Sequence, residues 1–341
     1  MARTCAPRSV RPAADRRSGP ERMADRDERH ALHPMSRPAT TAGRATPPGG
    51  RLGDATRVGA VDLTVTSIDR SIAYYRDVIG LEVHRRDASV AAMGAGGEEL
   101  VVLREQPDAR RAGRHAGLYH FALLFPTRKD LARVALRIAG ARAPIQGASN
   151  HGTHEAIYLP DPDGNGIELA WDFPRERWPD ISGPQGYGGG PAPLDIDDLL
   201  ATVGDEAPPA RAPRGLRMGH VHLHVGDLTT ASAFYRDGLG FDVMTDLGSA
   251  VFVSAGGYHH HVGYNVWRGN GVPPAPEGVV GLRHWTLIVA GDDELAAVRM
   301  RLAAAGAPIE DHDGGLLSRD PSGIAVHVIA DPSTPRGEPQ P

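Results

Sequence analysis

The sequence is short of cysteine, of net positive charge and of long apolar runs, and each shortage narrows what the protein can be. Its 341 residues include one cysteine, Cys5, so no disulfide can form within the chain. That usage fits a reducing compartment, and a cytoplasmic location is expected. No stretch approaches the roughly 18 consecutive apolar residues that a membrane span needs, so no membrane role is expected. The 37 Lys and Arg are outnumbered by 42 Asp and Glu, for a net charge of -5. A nucleic-acid binder would need a basic face, and none is expected here. What remains is an ordinary globular composition in a chain long enough for about two domains.

Residues 1–55 are rich in Arg, Pro, Ala and Gly and carry no hydrophobic period. Such a segment buries too little apolar surface to offset its chain entropy, so a disordered tail is expected. The "DRR" within it resembles a twin-arginine signal, but no apolar segment follows and export is rejected. Met35 is an alternative start. A second short tail is expected at residues 334–341.

The rest of the chain is a repeat. "GAVDLTVTSIDRSIAYYRDVIGLEV", from Gly59, aligns without a gap on "GHVHLHVGDLTTASAFYRDGLGFDV", from Gly219. Each reads as an alternating strand, then an N-cap at Ser67 or Asp227, then a short amphipathic helix closed by glycine. Further along, "LYHFALLF" matches "LRHWTLIV", "LARVALRIAGARAPI" matches "LAAVRMRLAAAGAPI", and "DPDGNGIELAW" matches "DPSGIAVHVIA". The expected fold is α+β, built from four βαβββ quarters in two tandem domains, residues 56–173 and 215–333. Residues 174–214 between them are rich in Pro and Gly, with one helix-like stretch, "PLDIDDLLATVG". They read as a linker with a docking piece.

"GGYHHHVGYNVW", residues 256–267, sets three histidines side by side. If this run is a strand, neighbours point to opposite faces, so His259, His260 and His261 cannot all hold one ion.

Quarters of this kind, with "FYRDGLGF" and "DPDGNGIEL", resemble the vicinal oxygen chelate superfamily. It includes glyoxalase I, bleomycin- and fosfomycin-resistance proteins and extradiol ring-cleaving dioxygenases. The resemblance covers about residues 57–173 and 215–333. Within it, "LYHFALLFPTRKDLA", "GHVHLHVGDL" and "GYHHHVGYNVW" look most like the bacterial catechol 2,3-dioxygenase branch.

The resemblance implies metal ligands at three points in each half: Ala60, His120 and Glu168 in the first, His220, His284 and His327 in the second. Taken half by half, the first set lacks a ligand and the second lacks a carboxylate. The superfamily also exchanges quarters between halves. Pairing the second quarter with the third joins His120, Glu168 and His220, two imidazoles and one carboxylate, the facial set that leaves open positions on non-haem Fe(II). Ala60, His284 and His327 then remain as a worn-out second site. The exchanged pairing is favoured because it completes one set. One carboxylate also lowers the site charge from +2 to about +1, which suits a ferrous ion taking up a catecholate, whereas three histidines suit zinc hydrolysis. Mn(II) is an alternative to Fe(II).

The same resemblance implies an acid/base histidine within the run. Alignment on Gly263 selects His260, and alignment on a metal-binding Glu of glyoxalase I selects His261. By alternation, His259 would share the face of His261. His151 and Tyr158, in "NHGTHEAIYLPDPDG", fall where a His and a Tyr hydrogen-bond substrate oxygens, although the spacing here is two residues shorter. His154 reads as a surface residue. His222 and His224 share the face of His220, and Trp267 reads as core or pocket wall.

The expectation is an Fe(II)-dependent extradiol dioxygenase whose partners are a small aromatic diol and dioxygen; a homo-oligomer is left open. A glyoxalase-like isomerase or transferase would need a fourth protein ligand, such as His261. A drug-sequestering binding protein of the same fold would need no metal set. Removal of residues 1–50 should leave melting temperature and activity nearly unchanged. A large loss of either in the shortened protein would mean that the segment packs against the body.

Overall fold

Strict alternation of apolar side chains sets the strands, and the computed structural model follows it over residues 50–111, 113–180, 190–331 and 333. The first quarter holds β1 (Arg57–Val65), α1 (Ile68–Tyr74), β2 (Glu82–Arg86), β3 (Val90–Ala95) and β4 (Glu98–Glu105). The second holds β5 (Gly117–Leu124), α2 (Arg128–Ala141), β6 (Gly147–Asn150), β7 (His154–Pro160) and β8 (Gly166–Asp172). The linker carries β9 (Ala192–Pro193) and α3 (Ile196–Ala201). In the third come β10 (Arg217–His224), α4 (Leu228–Ser232), β11 (Asp242–Asp246), β12 (Ala250–Ser254) and β13 (Val262–Asn265). The fourth has β14 (Gly281–Val289), α5 (Asp292–Ala304), β15 (Ile309–His312), β16 (Gly315–Arg319) and β17 (Ala325–Ala330). The chain is therefore two domains in tandem, of mixed α+β content, each of two βαβββ quarters.

The sheets do not follow the halves. In every quarter the first strand lies parallel to the last, as β5 does to β8 and β10 to β13. That leaves the other edge of each first strand unpaired, and an open edge needs a partner. The partner comes from the other half: β1 runs antiparallel to β14, and β5 to β10. One sheet thus unites the first and fourth quarters, and the other unites the second and third.

Helical contacts instead stay within each half. Ser67 and Asp227 cap α1 and α4 as expected, accepting from Arg70 N–H and Thr230 N–H. Each helix then widens into a π-helical turn at Tyr75–Ile79 or Ala233–Leu239. From these turns the buried Tyr75 donates to Asp161 at 3.1 Å and Tyr235 to Asp320 at 2.9 Å, each in the Asp-Pro turn of the following quarter. Strands cross between halves while helices hold within them, so the halves are laced together.

Alternation also separates two environments. Val61, Leu63, Phe121, Leu123, Val221, Leu223, Trp285 and Leu287 are buried in the hydrophobic core. The residues between them face the other side of the sheets, where the polar positions gather: His120 on β5, and His220, His222 and His224 on β10.

The segment between the halves packs against the second quarter. Asp195 caps α3, Leu199 is fully buried, and Arg128 of α2 reaches Asp198 at 2.8 Å. β9 covers the edge of β6. The expected boundary at residue 55 needs correction. Leu52 is buried and donates its N–H to Gly240 O at 2.9 Å, and Arg51 bonds Arg236 O at 2.7 Å. A lone leucine in a polar run has no period to announce it. The remainder of the expected tails, Cys5 and Met35 lie outside the described residues, among which no helix is long and apolar enough to cross a membrane.

Gly240 closes the π-turn at φ 100, and a Cβ there would lie 2.8 Å from the guanidinium of Arg301. Arg301 is 1% exposed and bonds Leu239 O, so it has little room to yield. Gly248, at φ 74, has nothing within 4 Å of such a Cβ. Gly248→Ala should therefore cost only the left-handed backbone penalty, about 1–2 kcal/mol. Gly240→Ala should cost at least ~1 kcal/mol more. Denaturant melts of the two variants provide the check, and equal losses would refute the role of Arg301.

Candidate metal centre

The β5–β10 register builds the site. It sets His120 opposite His222, with His220 one step along opposite Ala122. β8, parallel to β5, places Glu168 opposite Ala122 on the other side. Three side chains from different halves therefore converge. Glu168 Oε2 lies 3.0 Å from His120 Nε2 and 3.1 Å from His220 Nε2. One donor atom from each of the three lies within 4.8 Å of the other two. An ion here would be held by His120 Nε2, Glu168 Oε2 and His220 Nε2.

The donor chemistry fits a cation. Glu168 is 1% exposed, and burial alone would raise its pKa. The close polar contacts of His220, His120 and His154 outweigh burial and hold it well below the usual carboxylate range. Burial in turn lowers the pKa of His220, against the pull of Glu168, which favours the neutral ring with a lone pair to donate. Glu168 Oε1 has His154 Nε2 at 3.1 Å but no aligned hydrogen bond. A buried carboxylate so incompletely satisfied is a place for a metal ion.

The surroundings differ from the expectation in several places. His154 is not on the surface: it is 2% exposed, and its Nδ1 bonds Thr153 Oγ1 at 2.9 Å. Alternation along β7 carried the signal, because His154, Ala156 and Tyr158 share a face. His151 and Tyr158 do meet, Nε2 to hydroxyl at 2.8 Å, with the Tyr158 ring 5.4 Å from that of His120. Burial lowers the His151 pKa to about 3, so that ring is neutral.

The histidine run lies in the turn before β13, not on the strand, so strand alternation does not govern it. His259 parts from His261 and joins His260 instead, Nδ1 to Nδ1 at 2.8 Å. The His260 ring sits 4.0 Å from the His220 ring. His261 turns back into its own hairpin. Its Nδ1 meets Ser254 Oγ at 2.9 Å and the Ala255 N–H at 3.2 Å, and its ring packs against Phe241. It belongs to neither of the two converging donor sets found among the described residues. His222 and His224 are buried and bridged by Asn265, at 2.9 and 2.8 Å. Trp267 is pocket wall rather than core: it is 45% exposed, with its ring 5.3 Å from His222 and 5.6 Å from Tyr119. Tyr119, unnoticed in the sequence, lies 41% exposed beside His120, His222 and His224.

The corresponding face of the other sheet encloses about 770 Å³ and includes Ala60, Asp62, His284 and His327. Where the first sheet has His220 and His222, this one has Ala60 and Asp62. Asp62 is taken by Arg104 at 2.7 Å, and His327 Nε2 by His312 O at 3.0 Å. Asp62, His284 and His327 form no converging donor set among the described residues.

The profile of the Glyoxalase/Bleomycin resistance protein/Dioxygenase superfamily matches residues 57–169 and 217–328. A catechol-2,3-dioxygenase of Bacillus subtilis (strain 168) is 41% identical over 281 residues, which cover 80% of this chain and 97% of that protein. A biphenyl-2,3-diol 1,2-dioxygenase 2 of Rhodococcus globerulus is 37% identical over 92 residues, 25% of this chain and 46% of that one. Glyoxalase I of Zea mays shares the fold, with a TM-score of 0.52 at 19% identity over 81% of this chain and 92% of that chain.

Loss of His120, Glu168 or His220 as alanine should weaken metal binding at least ~100-fold. His284→Ala and His327→Ala should leave it unchanged. Metal content after dialysis, by elemental analysis, tests both statements; retention by Glu168→Ala would refute the assignment.

Proposed function

Because the chain belongs to the Glyoxalase/Bleomycin resistance protein/Dioxygenase superfamily, we propose that His120, Glu168 and His220 hold Fe(II) and that the protein opens catechol-type rings beside their two hydroxyls. The 41% identity to a catechol-2,3-dioxygenase over most of both chains carries the extradiol dioxygenase class. The observation that carries the metal reading is the convergence of two imidazoles and one carboxylate on one buried point. Two neutral ligands and one anion match the donor set of non-haem Fe(II) oxygenases.

When bound, iron supplies open positions at which a diol and dioxygen meet. The protein does the rest. His120, Glu168 and His220 fix the geometry, each held on a strand by backbone pairing. The Tyr158 hydroxyl, bonded to His151, orients a substrate oxygen. His260, beside His220, takes a hydroxyl proton and returns it later, as a general base and acid. Tyr119 and Trp267 form an aromatic rim that can cover the substrate ring and exclude water. A glyoxalase-like reaction would ask for a fourth ligand at His261, and the Nδ1 of that ring is engaged by Ser254 and Ala255.

The test is to purify the protein anaerobically with Fe(II), measure iron, and add catechol in air. A yellow semialdehyde is expected, and it should vanish with His220→Ala. Full iron occupancy without ring opening of any simple catechol would overturn the reading. His260→Ala should keep its iron and lose turnover on the order of 10²–10⁴-fold.

A further inference from the structure

His259, His260 and Asp172 form a hydrogen-bonded line that leads away from the metal ligands. His259 Nε2 lies 3.0 Å from Asp172 Oδ1, and His259 Nδ1 lies 2.8 Å from His260 Nδ1. The second Asp172 oxygen accepts from the Tyr258 hydroxyl at 2.8 Å. His259 is 1% exposed and His260 4% exposed, so water has little access to the line.

A second metal ion is one reading of this cluster, since His154, Asp172 and His259 each offer a donor atom within 4.8 Å of the other two. The ring geometry argues against it. His154 and His259 stack at 4.7 Å with 13° between their planes. The in-plane lone pairs of parallel rings run side by side and do not converge on one ion. Moreover, His154 Nε2 is directed to Glu168.

With both rings neutral, these contacts take one arrangement of protons. Burial raises the pKa of Asp172, but hydrogen bonds from His259 and Tyr258 outweigh it and keep the group a carboxylate. A carboxylate only accepts, so His259 Nε2 carries the hydrogen. Burial lowers the His259 pKa to about 4, so the ring is neutral and its Nδ1 has a lone pair. The short Nδ1–Nδ1 contact then needs its hydrogen from His260. A neutral His260 ring with its hydrogen on Nδ1 has its lone pair on Nε2.

We propose that Asp172 and His259 are positioning residues that fix His260 in the Nδ1–H tautomer, so that its Nε2 is the base that takes the proton of the diol substrate. This rests on the dioxygenase reading for its substrate, though not for the tautomer. In the step, the substrate O–H bond breaks, its electron pair stays on oxygen, and a new N–H bond forms at His260 Nε2. No proton leaves the line. The resulting imidazolium is bonded through His259 to the Asp172 charge, which compensates it inside a buried site. The same line answers which histidine of the run acts, since His261 points into its hairpin.

Two measurements test the proposal. The first is nitrogen NMR of ¹⁵N-histidine-labelled protein loaded with Zn(II) as a diamagnetic stand-in, with His260 assigned by the signals lost in His260→Ala. An N–H-type Nδ1 and a lone-pair-type Nε2 are expected. Asp172→Asn, which can offer His259 a donor, should mix or reverse them. An Nε2–H tautomer in the unaltered protein, or no change in Asp172→Asn, would overturn the proposal whatever the activity. The second is steady-state kinetics of the iron-loaded enzyme. Asp172→Asn should lower kcat about 10²–10³-fold, the scale of losing a tautomer-fixing carboxylate, with KM within ~3-fold and iron content unchanged. His259→Gln, whose amide can donate to Asp172 and accept from His260, should keep more of kcat than His259→Leu. An unchanged kcat or lost iron in Asp172→Asn would sink the relay. If the expected tautomer is found but no catechol is cleaved by the unaltered iron-loaded enzyme, the dioxygenase reading fails and the positioning role stands.

Discussion

The antiparallel pairing of β5 with β10 is the constraint on which the rest of the structure depends. These strands come from different halves, and their register decides which side chains meet. A slip of one residue would turn every histidine of β10 into the hydrophobic core and every core valine and leucine into the pocket. The apolar faces forbid that slip, because Val221 and Leu223 are fully buried on the core side. Packing of the core therefore holds the polar cluster in place.

That cluster is expensive to bury. Glu168, His120, His154, His220, His222, His259 and His260 are all buried, none more than 6% exposed. An ionised carboxylate away from water costs several kcal/mol unless it is paired. The imidazoles around Glu168 and the amide of Asn265 between His222 and His224 recover part of that cost. What they leave unsatisfied, notably Glu168 Oε1, is where a cation contributes most. A metal ion bound there would couple binding to folding in the sheet of the second and third quarters.

The other sheet illustrates how little is needed to dissolve such a site. Its backbone is the same duplicated arrangement, and it keeps His284 and His327. Ala60 provides no ligand, and Asp62 is drawn into an ion pair with Arg104. With Asp62 held by Arg104 and His327 Nε2 by His312 O, the set does not converge on one point. The duplication therefore preserved two sheets, but both converging donor sets among the described residues lie in the sheet of the second and third quarters.

Much of this protein was legible in the sequence. Period-two alternation, the caps at Ser67 and Asp227, the closing glycines and the internal repeat all arise from local chemistry, which a sequence states directly. The βαβββ quarters and the core faces followed from them. His120, Glu168 and His220 could be named by resemblance, and the chance to unite them was visible as a choice between pairings. Only tertiary structure made that choice, because strand-edge pairing between halves is a contact of high sequence separation with no local signature. The same reason hid Leu52, which fills a gap beside Gly240, and Asp172, whose meaning depends on His259 lying 3.0 Å away. The histidine run was misjudged as a strand because its apolar neighbours alternate. In the folded chain it turns a corner, and the turn, not the pleat, sends His259 and His260 one way and His261 the other. Sequence determined which side chains were available to a site; the crossing of strands between halves decided which of them meet.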